Sequence, residues 1–190
     1  MKLRCFVLAL PITALFVSAA TSGSSGFERQ HAAHVHGHAT GSLAQDAAVF
    51  SLSLNLPGVN LAGFERVPRD EREQEKLEEV QAHLESGQWL TFDPNGACRI
   101  EDIEVAAPGF AADTDSTHHH DHDQKHEHAE FQIEVRFECD QADGLAWLDL
   151  GLFAAYPGNE QIRVDVFTER RTGRVRLHPG DERINLGATR

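Results

Sequence analysis

The sequence predicts an α+β domain, built as a mainly antiparallel sheet of six or seven strands with one or two helices and a disordered His-rich loop. Three observations carry that expectation. Apolar and polar residues alternate with period two over several short segments. One charged stretch made almost wholly of good helix formers has helical spacing. One segment loses all periodicity and fills with His, Asp, Thr and Ser. The chain of 190 residues is 41% hydrophobic and 25% charged, which suits one globular core and is short for two.

The N-terminus reads as an export signal over residues 1–20. Lys2 and Arg4 precede an apolar run from Cys5 to Val17, and Ser18-Ala19-Ala20 supplies small residues for cleavage. The run is short for a bilayer span, and residues 21–30 form a Gly/Ser-rich linker. Residues 31–190 then form a single domain. Loss of Lys2 and Arg4 leaves 15 basic against 30 acidic residues, a charge of −15, where the whole chain has −13. Such acidity disfavours nucleic acid as a partner, because a nucleic-acid binder needs a basic face.

Val35, Gly37, Ala39, Gly41 and Leu43 alternate with His34, His36, His38, Thr40 and Ser42, predicting a half-buried strand with its histidines on the polar side. Phe50, Leu52, Leu54 and Leu56 alternate with Ser51, Ser53 and Asn55 in a second strand, which Pro57-Gly58 ends. Residues Arg69 to Leu84 predict a helix with a narrow stripe of Leu77, Val80 and Leu84, acidic residues in the first turn, and Gly87 as the stop. Asp93-Pro94-Asn95-Gly96 is a turn, followed by a strand from Ala97 to Val105. Residues 108–128 read as a mobile His/Asp-rich loop. Phe131, Ile133, Val135, Phe137 and Cys139 put a strand's odd face inward, so its even residues face out. Gly144 to Tyr156 fits a helix or a buried strand equally well. Ile162, Val164 and Val166, then Val175 and Leu177 beyond a Thr172-Gly173 turn, suggest a closing hairpin.

Beyond the leader two cysteines remain, Cys98 and Cys139, and in an exported protein an even pair reads as a disulfide. The competing reading is a pair of metal thiolates, although neither cysteine has a partner at C-x2-C spacing.

Twelve histidines are the outlier in the composition. Ten fall in two short segments: His31, His34, His36 and His38, then His118, His119, His120, His122, His126 and His128. Imidazole is a borderline ligand suited to Zn, Ni, Co and Cu(II), and residues at i and i+2 on a strand project the same way. The second segment divides into a flexible collector, His118 to Asp123, and a more ordered set in which His126, His128 and Glu130 share the outward face. A solvated His/Asp spacer is the bland alternative for the loop alone; it does not explain the patterned His34, His36 and His38. The lone His83 and His178 are set aside. With Met1 the only methionine and the cysteines expected to be oxidised, soft sulfur ligands for Cu(I) are missing, so Zn2+ comes first. Imidazole binds metal only when neutral, so affinity should fall as pH drops through about 6.5.

These residues resemble the ZrgA family of periplasmic zinc-uptake proteins. The match runs through Arg29-Gln30-His31-x2-His34-Val35-His36-Gly37-x-Ala39, Pro57-Gly58-x-Asn60-Leu61-x-Gly63-Phe64-Glu65, Cys98, and His126-Glu127-His128-x-Glu130-Phe131 with Phe137 and Cys139. The resemblance implies a soluble zinc-binding component of a Gram-negative envelope, working beside an ABC-type importer. The loop is short for the family, and Thr40-Gly41 stands before Leu43 where a tighter spacing is usual.

Two other functions compete. A periplasmic storage or detoxification buffer for Zn, Ni or Cu shares every ligand with an uptake protein and differs only in partners. A zinc-dependent hydrolase needs three ligands, an open position and a base, yet no H-E-x-x-H signature occurs and His126-Glu127-His128 has the wrong spacing. The reading carried forward is a non-enzymatic zinc-capture protein.

Overall fold

A computed structural model describes residues 35–111 and 128–187. The expected export signal, the linker, His31, His34 and the bulk of the His-rich loop lie outside these residues. The α+β class holds, with strands predominating. Strands β1 (His38–Asp46), β2 (Val49–Pro57), β4 (Cys98–Ala106), β5 (Glu130–Cys139), β7 (Gln161–Phe167) and β8 (Thr172–Leu177) form a six-stranded sheet in the order β4-β5-β2-β1-β7-β8. A second sheet joins β3 (Leu90–Phe92), β6 (Trp147–Leu150) and β9 (Arg183–Asn185). Neither β3 nor β9 is visible in the sequence pattern, since a three-residue strand is too short to show a period.

The core follows the alternation. Phe50, Leu52, Leu54 and Leu56 pair directly with Phe137, Val135, Ile133 and Phe131 across β2 and β5, and all eight are buried. Phe50 stacks on Phe137 at 5.0 Å, and Phe92 of the small sheet meets Phe137 at 4.6 Å, joining the two sheets through one apolar cluster. The expected antiparallel arrangement has one exception: β1 and β7 run parallel, with His38 opposite Gln161 and Leu43 opposite Val166. Period two cannot distinguish the two directions, because both strands bury alternate residues either way.

After the short helix α1 (Gly58–Leu61), helix α2 (Glu71–Glu85) buries the expected Leu77, Val80 and Leu84. The Asp70 side chain accepts from the Glu73 backbone N–H at 2.9 Å, a cap that satisfies one orphan donor. Trp89 Nε1 donates to Leu84 O at 2.8 Å, closing the other end. The 93–96 turn is as expected, with Asp93 accepting from Asn95 and Ala146.

Several expectations are corrected. The first strand starts at His38 rather than His34: His38 N donates to Val35 O at 2.9 Å and Gly37 has φ +82°, so residues 35–37 make a turn. The strand after the 93–96 turn starts at Cys98, because Ala97 is left-handed at φ 48°. The β7–β8 connection is Thr168 to Arg171, closed by Thr168 N donating to Arg171 O, while Thr172 and Gly173 already belong to β8. The ambiguous segment 144–156 is both things in turn, β6 and then the short α3 (Leu152–Ala155). The ends of the 108–128 loop are anchored rather than free, since Phe110 is buried and Ala129 is fully enclosed. Phe110 contacts Phe131 at 5.0 Å.

Cys98 and Cys139 face each other in the β4–β5 register and form a disulfide, which removes the thiolate alternative. Among the described residues no helix is long and apolar enough to cross a membrane. The bridge closes a loop with a sequence separation of 41, which on the chain-entropy model stabilises the fold by about 3 to 4 kcal/mol. Replacing both cysteines by alanine should therefore lower the denaturant-unfolding free energy by that amount, and reducing the wild type should reproduce the loss.

Candidate functional site

β1 begins, β2 ends and β5 begins at the same end of the main sheet, because the registers Thr40–Asn55 and Pro57–Glu130 align them there. The turn before β1, the segment after β2 and the residues before β5 therefore meet. The first carries His36, the second Glu65 and the third His128.

Glu65 is the hub. Its Oε2 lies 3.0 Å from His128 Nδ1 and 3.5 Å from His36 Nε2. The Glu65 side chain is only 11% exposed, whereas the His36 and His128 side chains are 71% and 54% exposed. Its Oε1 is buried without a hydrogen-bond partner among the described residues. An unsatisfied buried acceptor costs about 1 to 3 kcal/mol.

Both neighbours of Glu65 tie the chain down. Phe64 meets the Phe110 ring edge-on at 5.7 Å, and Phe110 rests on Phe131 of β5. Gly58 makes this possible: a Cβ there would lie 2.5 Å from the Phe110 ring and 2.8 Å from Ala129 O. On the other side, Arg66 donates through both terminal nitrogens to Glu73 on α2, at 2.6 and 2.7 Å, and its guanidinium lies 5.2 Å from the Phe64 ring centroid. The Arg66 side-chain hydrogen bond, backed by Arg69 N–H, holds the Glu73 carboxyl down at about 2.

The His36 turn has its own support. Gly37 N donates to Asn60 Oδ1 at 2.8 Å, Asn60 Nδ2 donates to Asn159 Oδ1 at 3.1 Å, and Gly37 O accepts from Glu160 and Gln161. Asn60 and Asn159 are buried, so the network is a fixed part of the core. At Gly37 a side chain would need the disfavoured φ of +82° and would press on the Glu160 side chain at 2.9 Å.

The structure thus brings one histidine of each segment to one carboxylate. His36 and His38 do not share the expected ladder, because the Gly37 turn separates His36 from the strand that His38 opens. His38 is exposed at the start of β1. Glu130 was expected outward beside His128; it lies on the even face but is buried, accepting from Gln132 Nε2 at 2.6 Å. Burial follows because Glu130 N bonds Pro108 O, which brings the anchored loop end across it. His118, His119, His120, His122 and His126 lie outside the described residues. His83 contacts Tyr156 OH at 2.7 Å, and His178 contacts Glu160 O at 3.2 Å.

Among the described residues, no group of three or more His, Cys, Asp or Glu side chains is arranged to enclose an ion. Glu65 with His36 and His128 is an open carboxylate–imidazole contact, not a finished coordination shell. A family model described as ZrgA family zinc uptake protein matches residues 33–186. The chain belongs to that family. No curated protein matches it. For a ZrgA family member the chemistry of the contact is apt, since imidazole nitrogen and carboxylate oxygen are ordinary zinc ligands. In the sequence Glu65 closes a family motif that gives it no role. Its flanking Phe64 and Arg66 were the available signal, one apolar and one charged residue that pin it from both sides.

The Arg66–Glu73 pair favours the folded state above the ordinary carboxylate value of 4.5 and loses that contribution as pH falls toward about 2. In the Arg66→Ala variant the Glu73 carboxyl should titrate well above its wild-type value, as followed by carbon-13 NMR, while the Arg69 N–H still holds it below the ordinary 4.5. Asn60→Ala leaves Gly37 N–H and Asn159 Oδ1 unpaired, and denaturant unfolding should register a loss of about 1 to 3 kcal/mol.

Proposed function

We propose that the protein is a periplasmic, non-enzymatic zinc-binding component of a zinc-uptake system. In this reading the His/Asp-rich loop, with His118, His119, His120, His122 and His126, captures Zn2+ and passes it to residues on the folded domain. His31, His34, His36 and His38 supply the N-terminal ligands, and His128 that of the β5 entrance. An ABC-type importer is the partner that takes the ion onward. Membership of a zinc-uptake family supports the choice of metal. The observation that carries the reading is the meeting of His36 and His128, one from each histidine segment, at a single acidic residue.

The high exposure of both rings suits a cargo that must arrive and leave. The excess of acidic residues adds a favourable field for cations, effective within a Debye length of about 8 Å.

Calorimetric zinc titration tests the reading. Alanine at His118, His119, His120 and His122 should lower the number of ions bound, whereas His36→Ala and His128→Ala should each weaken an event that remains. Unchanged stoichiometry in the loop variant would remove the loop as a ligand source. Zinc affinity should also fall as pH drops through about 6.5, because protons compete for imidazole; a flat profile would mean that carboxylates alone bind the ion.

A further inference from the structure

We infer that Glu65 is itself a zinc ligand, the fixed anchor of an exchangeable three-residue station completed by His36 and His128. The inference rests on the zinc-capture reading and adds to it a residue and a site that belong to the folded domain.

Four observations converge on Glu65. The first is composition: two imidazoles and one carboxylate form a donor set that zinc takes with a fourth position left to solvent. The second is spacing. Zinc bonds of about 2.0 to 2.2 Å at tetrahedral angles put neighbouring donors about 3.3 Å apart. The two nitrogens stand 3.0 and 3.5 Å from Glu65 Oε2, on either side of that value. The third is the state of the carboxylate, whose Oε1 is buried with no donor among the described residues. A group kept only to hold the fold together would be expected to satisfy both oxygens, because folding selects against an orphaned buried acceptor. The fourth is support: Phe64 is packed on Phe110, and Arg66 is held by both carboxylate oxygens of Glu73, so the residue between them has little freedom.

The two histidines differ from Glu65 in a useful way. Their side chains are more than half exposed, so an ion can reach them from solvent without disturbing the core. The Gly37–Asn60–Asn159 network holds the His36 backbone while leaving that ring free to reorient. One shielded donor and two exposed ones make a station that fills and empties, unlike a closed structural zinc site with four enclosed ligands.

Zinc titration of the full chain with Glu65→Gln, beside the alanine loop variant, tests this. Glutamine keeps the shape and removes the charge. The expected result is a loss of about 10-fold or more in affinity for the event that the loop variant retains. Zinc should also raise the thermal midpoint of Glu65→Gln less than that of wild type, while the metal-free midpoint stays the same or rises. A purely structural Glu65 gives the opposite pattern, a lower metal-free midpoint with zinc binding unchanged, and overturns the inference while leaving zinc capture intact. Failure of the wild type to bind zinc at all would overturn both. Should circular dichroism show Glu65→Gln to be misfolded, Glu65→Asp carries the test, since it keeps the charge and draws the carboxylate back from the two imidazoles by one methylene. It must weaken the same event.

Discussion

Pairing of β2 with β1 on one side and β5 on the other places everything else at the site. The three strands carry the deepest part of the core, with Leu52 between Leu43 and Val135 in the ladder and all three buried. A slip of one residue in either pairing would turn these side chains out to solvent, so the register is strongly held. The same register brings the start of β1, the end of β2 and the start of β5 to one edge. His36, Glu65 and His128 are neighbours because hydrophobic burial elsewhere fixes where their strands begin and end.

The disulfide and the histidine–carboxylate contact are therefore separated in space while remaining linked by the backbone. The disulfide sits at the far end of the β4–β5 pairing from the histidines, where Cys98 opens β4 and Cys139 closes β5. At the histidine end, apolar packing through Phe64, Phe110 and Phe131 stops at the segment carrying Glu65, and polar supports take over: Arg66 to Glu73 and Asn60 to Gly37 and Asn159. A carboxylate with little exposure lies at that boundary between two exposed imidazoles.

Much of the architecture was legible in residue order. The inward face of β5, the helix stripe of Leu77, Val80 and Leu84, and the facing cysteines all follow from periodicity and parity, which are local. The β1–β2 hairpin was less legible: its two-residue turn is Ala47-Ala48, with Ala47 at φ 53°, and carries none of the Asn-Gly or Asp-Gly chemistry that marks such turns. The start of β1 was misplaced because Val35 and Gly37 continue an apolar alternation that the backbone abandons. Val35 is in fact exposed, and Gly37 is buried by the Asn60 and Glu160 contacts rather than by a strand face.

By itself the sequence determined the fold class, the disulfide pair, the family and the two histidine segments, because each is written in residue type and spacing along the chain. Only the tertiary structure decided which histidines meet and on what. Glu65 has no periodic neighbours, the motif it closes gives it no role, and its proximity to His36 and His128 arises from strand registers set by apolar residues far from it in sequence. Glu130, read as an outward ligand from strand parity, is enclosed by the Pro108 end of the loop, a long-range contact that parity cannot express. The imidazoles are legible from residue type alone; the carboxylate that meets them depends on how the chain closes in space.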